Sequence, residues 1–239
     1  HEVHDPVVVK PRRREGPMPN KYYPVYLDLE KRQCIVIGGN DEALRKVKGL
    51  LDSLAFVTVI APELNPQLHE MVESGAINWK DRNYQAGDLQ GAFLAIVADT
   101  SDTQINLQAT AEANERNVLV NVMDVTHMCS FIAPAIARRG DVTLAISSGG
   151  ASPALARKFR EILSTSKILE WADLVPLLYD VRKELRASGI RVAPDHWQAC
   201  LTEELLETYQ LGNHATAHQK LLTALIGKQK ASEYPKEND

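Results

Sequence analysis

Cys34-Ile35-Val36-Ile37-Gly38-Gly39-Asn40-Asp41-Glu42-Ala43-Leu44-Arg45-Lys46 is the stretch on which the fold turns. Four apolar residues make a short buried strand, and two glycines then let the backbone turn sharply. Ala43, Val47, Leu50 and Leu54 follow at spacings of four, three and four, which is one apolar face of a helix. Strand, glycine turn and helix form the first half of a βαβ nucleotide-binding unit, whose backbone N–H groups and positive helix end can hold a pyrophosphate. Asn40 stands where the usual fingerprint has a further glycine, and asparagine tolerates left-handed backbone angles better than most residues. Two readings stand side by side: a cradle made by Gly38, Gly39, Asn40, Asp41 and Glu42, or a tight turn with no ligand.

Working outward, residues 25–29 alternate as a short strand, and residues 56–60 are a second buried strand ending in Ala61-Pro62-Glu63. Glu63 lies 25 residues after Gly38, about where an acidic group grips an adenosine ribose. On position alone an ordinary surface glutamate is as good a reading. A helix is expected over 64–74, a brief strand over 76–79 and another buried strand over 93–98. Asp99-Thr100-Ser101-Asp102 follows, with Ser101 or Asp102 capping a helix that runs to about residue 116. The next strand is 118–120. This alternation predicts a parallel sheet covered on both faces, with ligands beyond the carboxyl ends of its strands. Ala61, Pro62, Glu63, Ala98, Asp99, Thr100 and Asn121 all fall there beside the glycine turn, and they join it as candidate cofactor-binding residues.

The pattern then changes. Residues 130–137 and 142–147 read as strands joined by the hairpin turn Arg138-Arg139-Gly140-Asp141, a place for dimer contacts or a substrate floor. Ser147-Ser148-Gly149-Gly150-Ala151-Ser152-Pro153 leads into a helix over 154–163, with Ser152 as N-cap and Pro153 in the first helical position. Ser147, Ser148, Gly149 and Gly150 expose donors suited to a carboxylate or phosphate, or they are a plain capped loop. Three amphipathic helices are expected over 168–187, 196–210 and 214–228, split by Ser188-Gly189 and Gly212-Asn213. The fold class is therefore α/β: a Rossmann-like parallel sheet, an antiparallel hairpin dimerisation region and a small C-terminal helical domain. The divisions are a disordered basic arm (1–20) carrying Arg12-Arg13-Arg14, a nucleotide-binding domain (21–120), a dimerisation and substrate region (121–150), a helical domain (151–229) and a frayed tail (230–239).

With 239 residues, 44% of them hydrophobic, the chain can bury one large core or two smaller ones. A net charge of −4 argues against wholesale nucleic-acid binding. No apolar run approaches a membrane span, and residues 1–20 lack the apolar centre of a secretory signal. Cys34, Cys129 and Cys200 are odd in number and far apart, which predicts reduced thiols in a cytoplasmic protein. His214 and His218, four apart on one helix, could share a metal, but a stable zinc site wants three or four protein ligands and no third is evident. No resident metal is expected.

Taken in order, Tyr23-Pro24-Val25-Tyr26-Leu27, Val36-Ile37-Gly38-Gly39, Ala43-Leu44-Arg45-Lys46-Val47, Val120-Asn121-Val122-Met123-Asp124, Ser130-Phe131-Ile132-Ala133-Pro134-Ala135 and the stretch from Ser147 to Arg157 are specific. Residues 22–163 resemble the sirohaem-synthase family of precorrin-2 dehydrogenases, some of which are also sirohydrochlorin ferrochelatases. The resemblance implies NAD-dependent oxidation of precorrin-2 to sirohydrochlorin, with ferrous iron as a further substrate in some members, and a homodimer interlocked through the hairpin and helical regions. It implies that Asp124 is the key residue and that Ser148 matches a serine able to accept a phosphate. It leaves no room for the methyltransferase part fused in some relatives.

The substrate implied is a tetrapyrrole with eight carboxylates. Its dehydrogenation releases a hydride, which NAD accepts, and a proton, which suits a carboxylate such as Asp124 at a strand end. His127, three residues on, could assist as base or transient ligand, or be a hydrogen-bonded surface group. Arg138, Arg139, Arg157 and Lys158 are candidates for the substrate carboxylates, with Arg138 and Arg157 preferred. The rival reading is a tetrapyrrole-binding or chelatase-only protein that has lost NAD because Asn40 replaces a glycine. A third, a nucleotide-sensing module, leaves Asp124 and the serine-glycine loop without a purpose.

Overall fold

The structure, a computed structural model, describes residues 22–227; the arm 1–20 and the tail 230–239 lie outside them. The chain divides into two compact units, the first ending at Ala133 and the second beginning at Pro134.

In the first unit, β1 (Gln33–Ile37) is the middle strand of a five-stranded parallel sheet ordered β3-β2-β1-β4-β5. Its companions are β2 (Phe56–Ala61), β3 (Asn78–Asp81), β4 (Leu94–Val97) and β5 (Leu119–Val122). Both neighbours of β1 pair in parallel, Ile37 standing opposite Ile60 on one side and Val97 on the other. Side chains alternate between two dry layers. Cys34, Val36, Val57, Val59 and Ile96 face α1 (Asp41–Leu51) and α2 (Pro66–Glu73), meeting Ala43, Val47, Leu50 and Leu68. Ile35, Ile37, Ala95, Val97, Val120 and Val122 face α3 (Thr103–Arg116), meeting Ala109 and Ala113. Cys34 is fully enclosed, and burial pushes its thiol up to about 11, so it acts as a small core hydrophobe.

Residues 82–92 have no periodicity, and two carboxylates hold them in place. Glu112, buried on α3, accepts from the Tyr84 hydroxyl, the N–H of Gly87 (2.9 Å) and of Leu89 (3.3 Å), and Arg116 Nε (2.7 Å). Burial alone would raise the Glu112 pKa, but the donors from Tyr84, Gly87, Arg116 and Leu89 together outweigh it and hold the carboxyl below its usual value. Asp88 is held far below the carboxylate range, mainly by hydrogen bonds from Arg82 (2.7 Å), with burial opposing and Lys80 (2.7 Å) and the Gln85 N–H (2.9 Å) adding to the effect.

The second unit opens with the antiparallel hairpin β6 (Ala135–Arg139) and β7 (Val142–Ile146). Then come α4 (Pro153–Ser164), a 3-10 segment (Lys167–Leu174), α5 (Val175–Ala187), α6 (Pro194–Cys200), α7 (Glu203–Gln210) and α8 (His214–Gly227). Leu174, Leu177, Val181, Leu205, Leu221 and Leu225 make its core. Arg139 ties the hairpin to the 3-10 segment with a bidentate pair to Asp173 (2.7 and 2.6 Å), which also accepts from Gln210 (3.1 Å).

Four local expectations change. Residues 25–29 form no strand, because β1 is already flanked on both edges; Tyr23, Val25 and Tyr26 are exposed instead. The first hairpin strand starts at Ala135 rather than 130, and Arg138 and Arg139 belong to β6, so the turn is Gly140-Asp141 with Gly140 at φ +53. The helix expected over 168–187 begins as 3-10 and restarts at Val175, with Pro176 in its first turn. The one expected over 196–210 is two helices, because Thr202 accepts from the Leu205 N–H (3.2 Å) and starts α7 as an N-cap.

Two outcomes test this packing. Gly39→Ala would drive a Cβ into the Glu63 carbonyl and the Leu64 backbone (3.1 Å), so it should cost about 2–4 kcal/mol in a denaturant melt. Glu112→Gln keeps the shape but loses the ionised acceptor, and should lower Tm by roughly 5 °C at neutral pH. Since the Glu112 and Asp88 pKa values are lowered in the folded state, their contribution is complete above the ordinary values of 4.5 and 3.8 and fades as pH falls below them. A series of melts from pH 7 to 3 should therefore show the wild type losing its advantage over Glu112→Gln.

Candidate functional site: a cleft at the crossover of the parallel sheet

The strand order reverses direction at β1 and β4, and a cleft of about 670 Å³ opens beyond their carboxyl ends. This is where open α/β sheets take their ligands. Four loops wall it. Gly38, Gly39, Asn40 and Asp41 come from the turn after β1, Ala61, Pro62, Glu63, Leu64 and Asn65 from the turn after β2, and Asn83 and Tyr84 from the segment before β4. Asp99, Ser101, Asp102 and Ile105 come from the turn after β4 and the start of α3.

Both glycines are required by backbone packing before any ligand is considered. Gly38 sits at φ +116, and an added Cβ would lie 2.8 Å from the backbone N and Cβ of Asp99. The Gly39 carbonyl accepts from the Asn65 N–H (2.6 Å), and the Gly38 N–H donates to Ile60 (2.9 Å). Asn40 does not use the left-handed angles that would have excused it. It is extended at φ −83, and its side chain accepts from the Ala43 N–H (2.9 Å) as the N-cap of α1. The N–H groups of Asp41 and Glu42 keep no partner among the described residues, so the positive end of α1 still offers donors.

Among the described residues, four carboxylates line the cleft, and no lysine or arginine does. Three are committed: Asp41 accepts from Asn65 Nδ2 (2.6 Å), Asp99 from the Ser101 N–H (3.0 Å), and Asp102 caps α3 through Gln104 (2.8 Å) and Ile105 (3.3 Å). Glu63 alone of the four is exposed without a partner among the described residues. An unpaired carboxylate at the end of the second strand, a glycine turn and free helix N–H groups fit a dinucleotide whose ribose hydroxyls are donors. The glycine at Asn40 is not missed, since that residue leaves the turn to cap the helix.

Eight of the twelve predicted cofactor residues line this cleft: Gly38, Gly39, Asn40, Asp41, Ala61, Pro62, Glu63 and Asp99. The other four lie outside its lining. Glu42 pairs with Arg45, Ala98 is buried at the strand end, the Thr100 carbonyl accepts from Asn106 (3.1 Å), and the Asn121 amide donates to the Phe131 carbonyl (3.0 Å). Asn65, Asn83 and Tyr84 were not foreseen. Asn83 and Tyr84 belong to the aperiodic segment that only Glu112 and Asp88 explain.

Asp124 and His127 follow β5 on the same carboxyl edge, outside the cleft lining. Asp124 holds φ +60, a region where aspartate is among the better-tolerated residues, in a turn closed by the Val125 N–H on the Val122 carbonyl (3.1 Å). Its carboxylate is exposed and makes no hydrogen bond or ion pair among the described residues. His127 is exposed on a single 3-10 turn (Thr126–Met128). Lys46 on α1 is half-buried; burial lowers its pKa, the Arg45 charge adds to this, and the Asp124 carboxylate opposes it.

In the second unit, Ser147 accepts from the Gly149 N–H (3.0 Å) and Ser148 from the Ser152 N–H (2.9 Å), with Gly149 and Gly150 both left-handed. Arg138 and Arg157 are exposed, while Arg139 is committed to Asp173. His214 and His218 do not converge: His218 pairs with Glu184 (3.3 Å) and His214 packs edge-on to Tyr209 (4.3 Å).

Residues 25–135 match the family described as putative NAD(P)-binding, and residues 139–166 the one described as sirohaem biosynthesis protein, central. The siroheme synthase of Nitrosococcus oceani is 36% identical over 209 residues, 87% of this chain and 44% of that protein. That of Photobacterium profundum is 43% identical over 142 residues, covering 59% of this chain and 30% of that protein. The chain thus spans less than half the length of these relatives. Among solved structures, SirC, a precorrin-2 dehydrogenase, superimposes with a TM-score of 0.68 at 29% identity over 84% of this chain and 98% of its own. The chain belongs to the family of sirohaem-biosynthesis proteins that SirC and the matching portion of the siroheme synthases represent.

Proposed function

We propose that this chain oxidises precorrin-2 to sirohydrochlorin with NAD as hydride acceptor, a step of sirohaem biosynthesis. The observation that carries the reading is the crossover cleft, with its glycine turn and its unpaired Glu63, in a chain whose solved neighbour is a precorrin-2 dehydrogenase. NAD, when bound, supplies the hydride acceptor. The N–H groups of Asp41 and Glu42 would hold its pyrophosphate, and Glu63 would accept from the ribose hydroxyls. Asp124, unpartnered at the end of β5, accepts the proton that leaves with the hydride; its freedom from other bonds supports that role. His127, exposed beside it, is the secondary candidate. The rival reading, loss of NAD through Asn40, loses its ground, since Asn40 caps α1 and the glycines that the turn requires are both present.

Arg138 and Arg157, free of partners among the described residues, are the candidate grips for tetrapyrrole carboxylates, and Ser147, Ser148, Gly149 and Gly150 offer further polar contacts. Ferrous iron, where a chelation step follows, is a substrate, with Asp124 taking the displaced pyrrole protons. A homodimer completes the reading. Leu155, Phe159 and Ile162 lie four and three residues apart on α4 and are each about half exposed, and Ile136 on β6, the strand that α4 packs against, is exposed as well; these are apolar groups that a second copy would cover.

Titration with NAD should show saturable binding, and adding precorrin-2 should raise NADH absorbance. Asp124→Ala should bind NAD normally, keep its melting temperature and lose about 10²–10⁴-fold in dehydrogenation rate; near-normal turnover would remove Asp124 from the mechanism. Phe159→Glu should shift the mass measured by light scattering from two chains to one, and an unchanged dimer would move the interface elsewhere.

A further inference from the structure

We propose that Lys46 is a substrate-binding residue, holding one carboxylate of the tetrapyrrole next to the proton acceptor Asp124. The inference deepens the dehydrogenase reading and rests on it. On α1, Ala43, Val47 and Leu50 point into the sheet, and the two flanks of the helix have different neighbours. Lys48 Nζ donates to Gln67 on α2 (2.8 Å), so its flank faces α2 and the β2–β3 side of the sheet. Lys46 is two residues away, about 200° around the helix, and so on the opposite flank, turned to the β4 side of β1. The end of β5 is there: Met123, next to Asp124, packs against the same apolar layer as α1. The long-range pull of Asp124 on the Lys46 ammonium agrees with this placement.

The charges on this edge are unusual for being unused. Lys46 is half-buried, yet its ammonium has no ion pair or hydrogen bond among the described residues, although its neighbours Arg45 and Lys48 are bonded to Glu42 and Gln67. Asp124 is likewise unpartnered. Holding an ammonium partly out of water without a partner opposes folding, so a ligand that brings an anion restores what the fold gives up. An octacarboxylate approaching Asp124 brings such anions, and it also needs a cation there, since the carboxylate would otherwise repel it. The cofactor cleft has none to spare among the described residues, where its charged lining residues are all acidic.

The test uses the full chain with precorrin-2 and NAD, and product binding followed by the absorbance of sirohydrochlorin. Lys46→Gln should raise KM for precorrin-2 and Kd for sirohydrochlorin about tenfold, the size of one charge-assisted contact, with kcat and NAD affinity within about twofold of wild type. Lys46→Arg should recover most of the loss. If Lys46→Gln folds poorly, Lys46→Met, which keeps the aliphatic stem, reports the same comparison. An unchanged KM in a folded variant that turns over overturns the assignment while leaving the dehydrogenase reading intact. A fall in kcat at constant KM also overturns it, because Lys46 would then act on Asp124 and not on substrate. A wild-type protein that binds NAD but never oxidises precorrin-2 defeats the dehydrogenase reading itself, and this assignment with it.

Discussion

Three loops meet at one point of the first unit, and the rest of its architecture is arranged to let them. The turn after β1 has to pass under Asp99 on one side and against Glu63 on the other, so close that neither Gly38 nor Gly39 has room for a Cβ. That contact joins the strand ends where the sheet reverses direction, and the hydrogen bonds from Gly38 to Ile60 and from Asn65 to Gly39 make it rigid. Because the loops are locked to one another, the cleft above them is pre-formed, and a ligand entering it need not pay to order its walls. The glycines are thus required by the packing of the backbone itself, before any ligand is considered.

The second determinant is the pair of buried carboxylates under residues 82–92. Glu112 gathers four donors from two segments, and Asp88 gathers Arg82, Lys80 and a backbone N–H. A segment with no ladder of its own acquires a fixed course because its N–H groups converge on ionised acceptors that have nowhere else to turn. This is how Asn83 and Tyr84 become walls of the cleft. The price in desolvation is met by the number of donors, which is why burial fails to neutralise Glu112.

Much of this was legible in the sequence. The strands around Cys34, Phe56, Leu94 and Val120 are short apolar runs bounded by turn residues, and the parallel sheet follows from their alternation with helices. Gly38, Gly39, Glu63 and Asp99 could be placed at the cleft because strand ends are where such sheets bind. Asn83 and Tyr84 could not, since their position depends on Glu112, some thirty residues away, and no local pattern encodes that contact. Asn40 is hard to read for a related reason: a fingerprint compares it with a glycine, whereas its partner in the fold is the Ala43 N–H three residues on. Thr202 in front of Glu203 is a cap signal, and it divides what apolar spacing alone reads as one helix.

The acidic lining of the cleft has one more effect, on what it refuses. A dinucleotide phosphorylated on its adenosine ribose would bring two further negative charges to the neighbourhood of Glu63, with no guanidinium or ammonium among the described residues of the wall to receive them. Exclusion of this kind works by repulsion and needs no added contact.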